Sequence, residues 1–205
     1  LSTPDQPASW RSQGRANGIM GDLAPHIINV ALTFMGPIEE LLADIQTVFP
    51  TRPGTDGPVK VTNDDQATMV CNFKNGVPGS LYSSRAATGN KMGIRYEITG
   101  TKGALRLDQE DQNSLWYYDV SDQEQVSGFR RILAGPSHPD YLNFCQGPGH
   151  GTGYLDTVIM EGADFLRAID TGTQNGPSFE DGLAVSKVVE AAWRSSDTRR
   201  WTSID

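Results

Sequence analysis

Between about residue 39 and residue 129 the apolar positions recur at every second residue, and no helical segment interrupts them. Met69, Cys71 and Phe73 alternate with Val70, Asn72 and Lys74, and Ile94, Tyr96 and Ile98 alternate with Arg95, Glu97 and Thr99. A period of two marks a strand with one buried face. Short Gly-containing turns, KNG at 74–76 and GTKG at 100–103, separate such runs and join neighbouring strands antiparallel; SLWYYDV adds another strand after the polar turn DQEDQN. Parallel pairing needs a helical crossover between strands, and this stretch has none. The sheet is therefore expected to be mainly antiparallel.

Helical spacing appears only on either side of that region. In residues 22–35, Leu23, Ile27, Val30, Ala31 and Phe34 repeat as on one face of a helix, which Gly36-Pro37 ends. Residues 133–153, LAGPSHPDYLNFCQGPGHGTG, have no sustained period and read as a long ordered loop. YLDTVIMEGADFLRAID then carries Leu155, Ile159, Leu166 and Ile169 at helical spacing. In SFEDGLAVSKVVEAAW, Ser178 and Asp181 are spaced as a capping box ahead of Val185, Val188, Val189 and Ala192. The order helix, strands, loop, helices predicts one α+β domain over residues 1–205, a mainly antiparallel open-faced sheet with helices packed on one face. The other face needs a cover of its own.

Charge and composition exclude several classes of partner. A net charge of -8 with no long basic run leaves no footprint for nucleic acid. No apolar stretch approaches the roughly 18 residues that span a bilayer. The segment LSTPDQPASW has neither the basic nor the apolar region of a signal peptide, so a cytoplasmic location is expected. Cys71 and Cys145 lie far apart beside aromatic residues and read as buried thiols.

The titratable groups worth weighing are few. Asp22 and His26 stand about one helical turn apart, and Asn29 continues the stripe. Facing a cleft, such a stripe binds a sugar or an acid; alternatively Asp22 caps the helix, Pro25 sits tolerated in its first turn and His26 is a surface residue. A catalytic metal takes three or more protein ligands, and the other histidines, His138 and His150, fall in one distant loop, so no metal is expected. His150, flanked by glycines in GPGHGTGY, suits a pocket wall or a plain surface loop. Arg85, at the end of GSLYSSRAATG, either fixes a ligand hydroxyl or carboxylate or is an exposed strand-end arginine. No P-loop, Gly-x-Ser-x-Gly elbow or Gly-x-Gly-x-x-Gly fingerprint occurs.

Three segments in order, GIMGDLAPHIIN, YEITGTKGALRLD and PSFEDGLAVSKVVEAAWRSSDTRRWTSI, resemble the C-terminal domain of the Gfo/Idh/MocA oxidoreductases, the group that includes glucose-fructose oxidoreductase and inositol dehydrogenase. The first carries the family's D-x-x-x-H pair. The resemblance implies a substrate-binding, catalytic and oligomerisation domain of an enzyme whose N-terminal Rossmann domain, absent here, binds NAD or NADP and supplies a lysine. It implies that His26 is the general acid or base at a sugar or polyol carbon, with Asp22 orienting it and raising its pKa, and that Asn29 stands at a substrate-contact position; Arg85 and His150 join it as substrate-contact candidates on their own sequence setting. Inositol-type members often carry aspartate where Asn29 stands, which tells against inositol as substrate. A homodimer or homotetramer through the sheet face is implied as the missing cover. The alternative is a stand-alone binding or oligomerisation module without redox activity. On the first reading these residues alone are expected to be inactive and to bind no nicotinamide cofactor tightly.

Overall fold

A computed structural model describes residues 3–174 and 176–205. They form two compact units, one running up to Gly89 together with Pro177–Asp205, the other Asn90–Gly176.

The first unit begins with two consecutive helices, α1 (Ile19–Asp22) and α2 (Ala24–Met35), where the spacing predicts one helix over 22–35. The interruption at Leu23 has a covalent cause. In a continuous helix the Pro25 ring would strike the carbonyl of Gly21 and leave it without a donor, so α2 restarts after Leu23 with Pro25 in its first turn. Asp22 thus closes α1, and His26 belongs to α2. Gly36, at φ +83°, takes the conformation that ends α2 and turns the chain into a strand.

Five strands follow before the chain leaves this unit: β1 (Ile38–Gln46), the short hairpin β2 (Thr51–Arg52) and β3 (Val59–Lys60), then β4 (Gln66–Phe73), with β5 (Pro78–Ser84) after the KNG turn. The register places Ala43 opposite Met69, Leu41 opposite Cys71 and Met69 opposite Leu81. A period of two therefore puts all of these on one face, and they form one buried cluster with Ile19, Met20 and Ile28. Val70 and Tyr82 are exposed on the opposite face. Every strand contact in this sheet is antiparallel.

The second unit holds β6 (Arg95–Thr99), β7 (Gly103–Asp108), β8 (Ser114–Asp119) and β9 (Arg130–Leu133), paired antiparallel in that order. Register sets Arg95 opposite Asp108 and Glu97 opposite Arg106, and both pairs close as ion pairs, at 2.6 and 2.8 Å. β9, RRIL, lies at the end of the alternating region and shows no alternation of its own, because all four residues are exposed. The long loop over 133–153 is followed by α3 (Tyr154–Thr171). Its apolar stripe has helical spacing, yet Leu155, Ile159, Leu166 and Ile169 are all exposed.

The chain returns to the first unit as α4 (Phe179–Thr198), opened by the Ser178–Asp181 capping box, and ends in β10 (Thr202–Ser203). Val185, Val188, Ala191 and Ala192 on α4 join the core. Helices α1, α2 and α4 thereby cover one face of this sheet, whose strand order is β10-β1-β4-β5. Both cysteines are buried and unbridged.

β10 pairs with β1 only at Glu40 and Leu41, so the next outward N–H groups of β1 lack a strand partner. Two adjacent serines of α4 take them: Ser195 Oγ accepts from Ala43 N at 3.0 Å and Ser196 Oγ from Ile45 N at 3.1 Å. Ser195 also donates to the carbonyl of Arg200 at 2.6 Å, binding the turn after α4, and is itself fully buried. Ser195→Ala leaves the buried Ala43 N–H unpaired and takes from the Arg200 carbonyl one of its two donors, the other being Thr202 Oγ1 at 3.2 Å, which costs about 1–3 kcal/mol. Urea denaturation should show this loss for Ser195→Ala and a smaller one for the half-buried Ser196→Ala; equal, negligible losses would contradict the role given to Ser195.

Candidate active site

The polar residues around α1 converge on one buried cation. Arg85 follows β5, and its side chain is only 5% exposed. Nη1 donates to the carbonyls of Arg11 at 3.2 Å and Asn17 at 2.8 Å; Nη2 donates to the Gly18 carbonyl at 3.4 Å and to Asp22 Oδ2 at 2.9 Å. The guanidinium fork thus ties the segment 11–22 to the sheet. Of the two sequence readings, exposed strand-end arginine is excluded by this burial. Both Nη groups are directed to protein oxygens.

Behind Arg85 lie two carboxylates that sequence reasoning missed. Asp64 is buried, its main-chain carbonyl accepts from Ile19 N at 3.0 Å, and Oδ2 accepts from Met20 N at 2.7 Å. It caps α1 from a distant part of the chain, satisfying the first helical donors that no local side chain reaches. The Asp64 carboxyl fills the space where Gly18 lacks a side chain: a Cβ there would lie 1.9 Å from Oδ1. Burial pushes the Asp64 carboxyl up, against the opposing pull of the Met20 N–H and of Arg85. Asp65 accepts from Phe49 N at 3.0 Å through Oδ2 and from Arg85 N through its carbonyl at 3.0 Å. Burial pulls the Arg85 pKa down while Asp22, Asp64 and Asp65 push it back up. The one signal for these residues was NDD at 63–65, three consecutive polar residues that are all buried.

Asp22 does not cap a helix. No side chain caps α2, whose cap position is Leu23. Instead Oδ2 of Asp22 meets Arg85 and, at 3.7 Å, Arg11 Nε, while its side chain stays 29% exposed. Asp22 and Arg85 are therefore brought together, which the spacing did not indicate. His26 is exposed on the first turn of α2, and its N–H bonds back to the Leu23 carbonyl at 3.2 Å. Asn29 lies in a hollow of about 170 Å³ between α2 and α4 with Leu32, Thr33 and Asp181, separate from the Asp22–Arg85 contact. His150 belongs to the second unit, in a loop that Asn113 pins through Thr152 N at 2.8 Å and the Thr152 carbonyl at 2.9 Å. The ring of His150 is exposed there.

The chain's own carboxylates gather at three of the helix heads: Asp64 caps α1, Gly153 N ahead of α3 donates to Asp156, and Ser178 N ahead of α4 donates to Asp181, while α2 follows α1 directly. Among the described residues no group of three or more His, Cys, Asp or Glu side chains could hold a metal, and no helix is long and apolar enough to cross a membrane.

Residues 2–106, just over half of the chain, match the family model of the GFO/IDH/MocA C-terminal domain. The chain belongs to the GFO/IDH/MocA family. Among relatives in that family, the levoglucosan dehydrogenase of Pseudarthrobacter phenanthrenivorans is 33% identical over 219 residues, covering 98% of this chain and 56% of that protein. A solved oxidoreductase domain protein from Kribbella flavida superimposes with a TM-score of 0.93 at 36% identity, over 100% of this chain and 55% of that one. A levoglucosan dehydrogenase solved in complex with NADH and L-sorbose does so with a TM-score of 0.94 at 34% identity, again over 100% and 55%. The chain thus spans about half the length of these relatives. The mainly antiparallel α+β architecture expected from the strand pattern is the one it shares with them.

The burial of Asp64 predicts a pH signature. Its folded pKa lies above the unfolded value of about 3.9, so the native state holds the proton more tightly. Stability then falls as pH rises from the ordinary carboxylate range through the raised value. Asp64→Asn keeps an acceptor for Met20 N and abolishes that fall. Urea midpoints of variant and wild type should therefore move in the variant's favour between about pH 3.5 and about pH 7; movement the other way would mean that Arg85 and Met20 outweigh the burial.

Proposed function

We propose that the chain is the substrate-binding and catalytic domain of an NAD(P)-dependent oxidoreductase acting on a sugar, polyol or related hydroxy compound. The observation that carries this reading is the state of Asp22. A carboxylate needed only as a cap would sit on helix N–H groups, whereas this one is fixed by a buried arginine and left partly open one turn before an exposed histidine. Relatives solved with NADH and with sugars support the reaction class.

His26 is the group that takes the proton from the reacting hydroxyl, or returns it to the carbonyl in the opposite direction. Asp22 orients the ring and stabilises its charged form. NAD or NADP would supply the hydride acceptor or donor at the same carbon, held mainly by a Rossmann domain outside these residues, as the family membership supports. Asn29 and His150 are proposed as hydrogen-bonding contacts to the ligand. Arg85, whose two Nη groups are directed to protein oxygens, enters the site through Asp22. These residues alone would be inactive.

The uncovered face of the first sheet, with Val70 and Tyr82 exposed, supports a homodimer or homotetramer through that face. A soluble cytoplasmic enzyme is the corresponding location.

In the full-length protein, His26→Ala should lower the turnover rate about a hundredfold or more, the usual contribution of general acid-base catalysis, and leave cofactor affinity nearly unchanged. Steady-state kinetics on an aldose and polyol panel with a parallel cofactor titration measures both. A fully active His26→Ala enzyme would overturn the assignment.

A further inference from the structure

Asp22 has two carboxylate oxygens, and the structure uses them unequally. Both Arg85 Nη2 and Arg11 Nε approach Oδ2, at 2.9 and 3.7 Å, and among the described residues Oδ1 carries no hydrogen bond. The carboxylate is therefore held from one side. We propose that Arg85 is a positioning residue for proton transfer, clamping Oδ2 of Asp22 so that Oδ1 is left free to engage His26 and the bound hydroxyl. The inference rests on the reading of Asp22 and His26 as the proton-handling pair.

Three features make Arg85 suited to this task. Its side chain is buried, so the cation interacts with Asp22 through less water than a surface pair would and is not screened away. Its orientation is over-determined: three main-chain carbonyls, of Arg11, Asn17 and Gly18, fix the guanidinium plane independently of Asp22. Its main-chain N–H is itself anchored on the Asp65 carbonyl. A side chain held at that many points presents the remaining donor in one place.

Arg85 and Arg11 both touch Asp22, and of the two Arg85 is the buried one and the nearer, at 2.9 Å against 3.7 Å.

The test is a double-mutant cycle on turnover in the full-length protein, with an aldose and polyol panel and a parallel cofactor titration. Arg85→Gln, which removes the charge and keeps a donor, should lower kcat about tenfold while KM and cofactor affinity change little. That loss should shrink to a small fraction when Asp22 is already Asn, since Arg85 acts through Asp22. Arg85→Lys keeps the charge and breaks the fork, and the same coupling should appear at smaller amplitude, so the cycle survives if Arg85→Gln fails to fold. An equal loss in both Asp22 backgrounds, or none in either, overturns the positioning role alone. A turnover rate indifferent to Asp22→Asn overturns the pair on which it rests.

Discussion

The buried guanidinium of Arg85 is the contact on which the first unit depends. A guanidinium taken out of water without partners costs several kcal/mol, and here it is compensated by three carbonyls and one carboxylate contributed by residues 11–22. That segment has little regular structure of its own before Gly18, only two single turns of 3₁₀ helix. The arginine is what attaches it to β5, and Asp64 attaches the head of α1 from the β4 side. The two anchors share the Gly18 corner, where only a residue without a side chain leaves room for the Asp64 carboxylate. α1, and Asp22 at its end, are consequently placed from the sheet and not from the helix that follows.

The same dependence on the sheet recurs at its other edge. A two-residue strand cannot cover all of β1, and Ser195 and Ser196 on α4 complete the hydrogen bonding that β10 leaves open. α4 is thus bonded to the strand on which it also packs its apolar stripe. The helices that carry the candidate site and the helix that closes the core rest on one rigid layer, which is the condition for holding a carboxylate and an imidazole in a fixed relation.

The strands were legible because burial on one face imposes a period of two, and the register of β1, β4 and β5 follows from it. Turn residues at KNG and GTKG fixed the pairing. The capping box at Ser178 was equally local and equally readable. The break at Leu23 had a local cause in Pro25, but a proline in a first turn fits a helix beginning at 22 as well as one beginning at 24. Arg85, Asp64 and Gly18 were not readable in their roles, because their contacts join positions more than 40 residues apart and periodicity reports only neighbours. The apolar stripe of α3 shows the converse limit: spacing identifies the helix, while what its face meets is a property of the packing. Asp22 and His26 stood out by their spacing, and the proton-transfer role proposed for them comes from the family resemblance; the geometry adds that Asp22 is tied to Arg85.

The most direct measurement of this account is a crystal structure of the full-length protein with a nicotinamide cofactor and a sugar bound. The account predicts a sugar oxygen within about 3.2 Å of a ring nitrogen of His26, Asp22 Oδ1 facing that ring or the same oxygen, and Arg85 still on Oδ2 and the carbonyls of Arg11, Asn17 and Gly18. A sugar bound with its reacting carbon away from His26, or Asp22 swung off Arg85 when the ligand is in place, would contradict it.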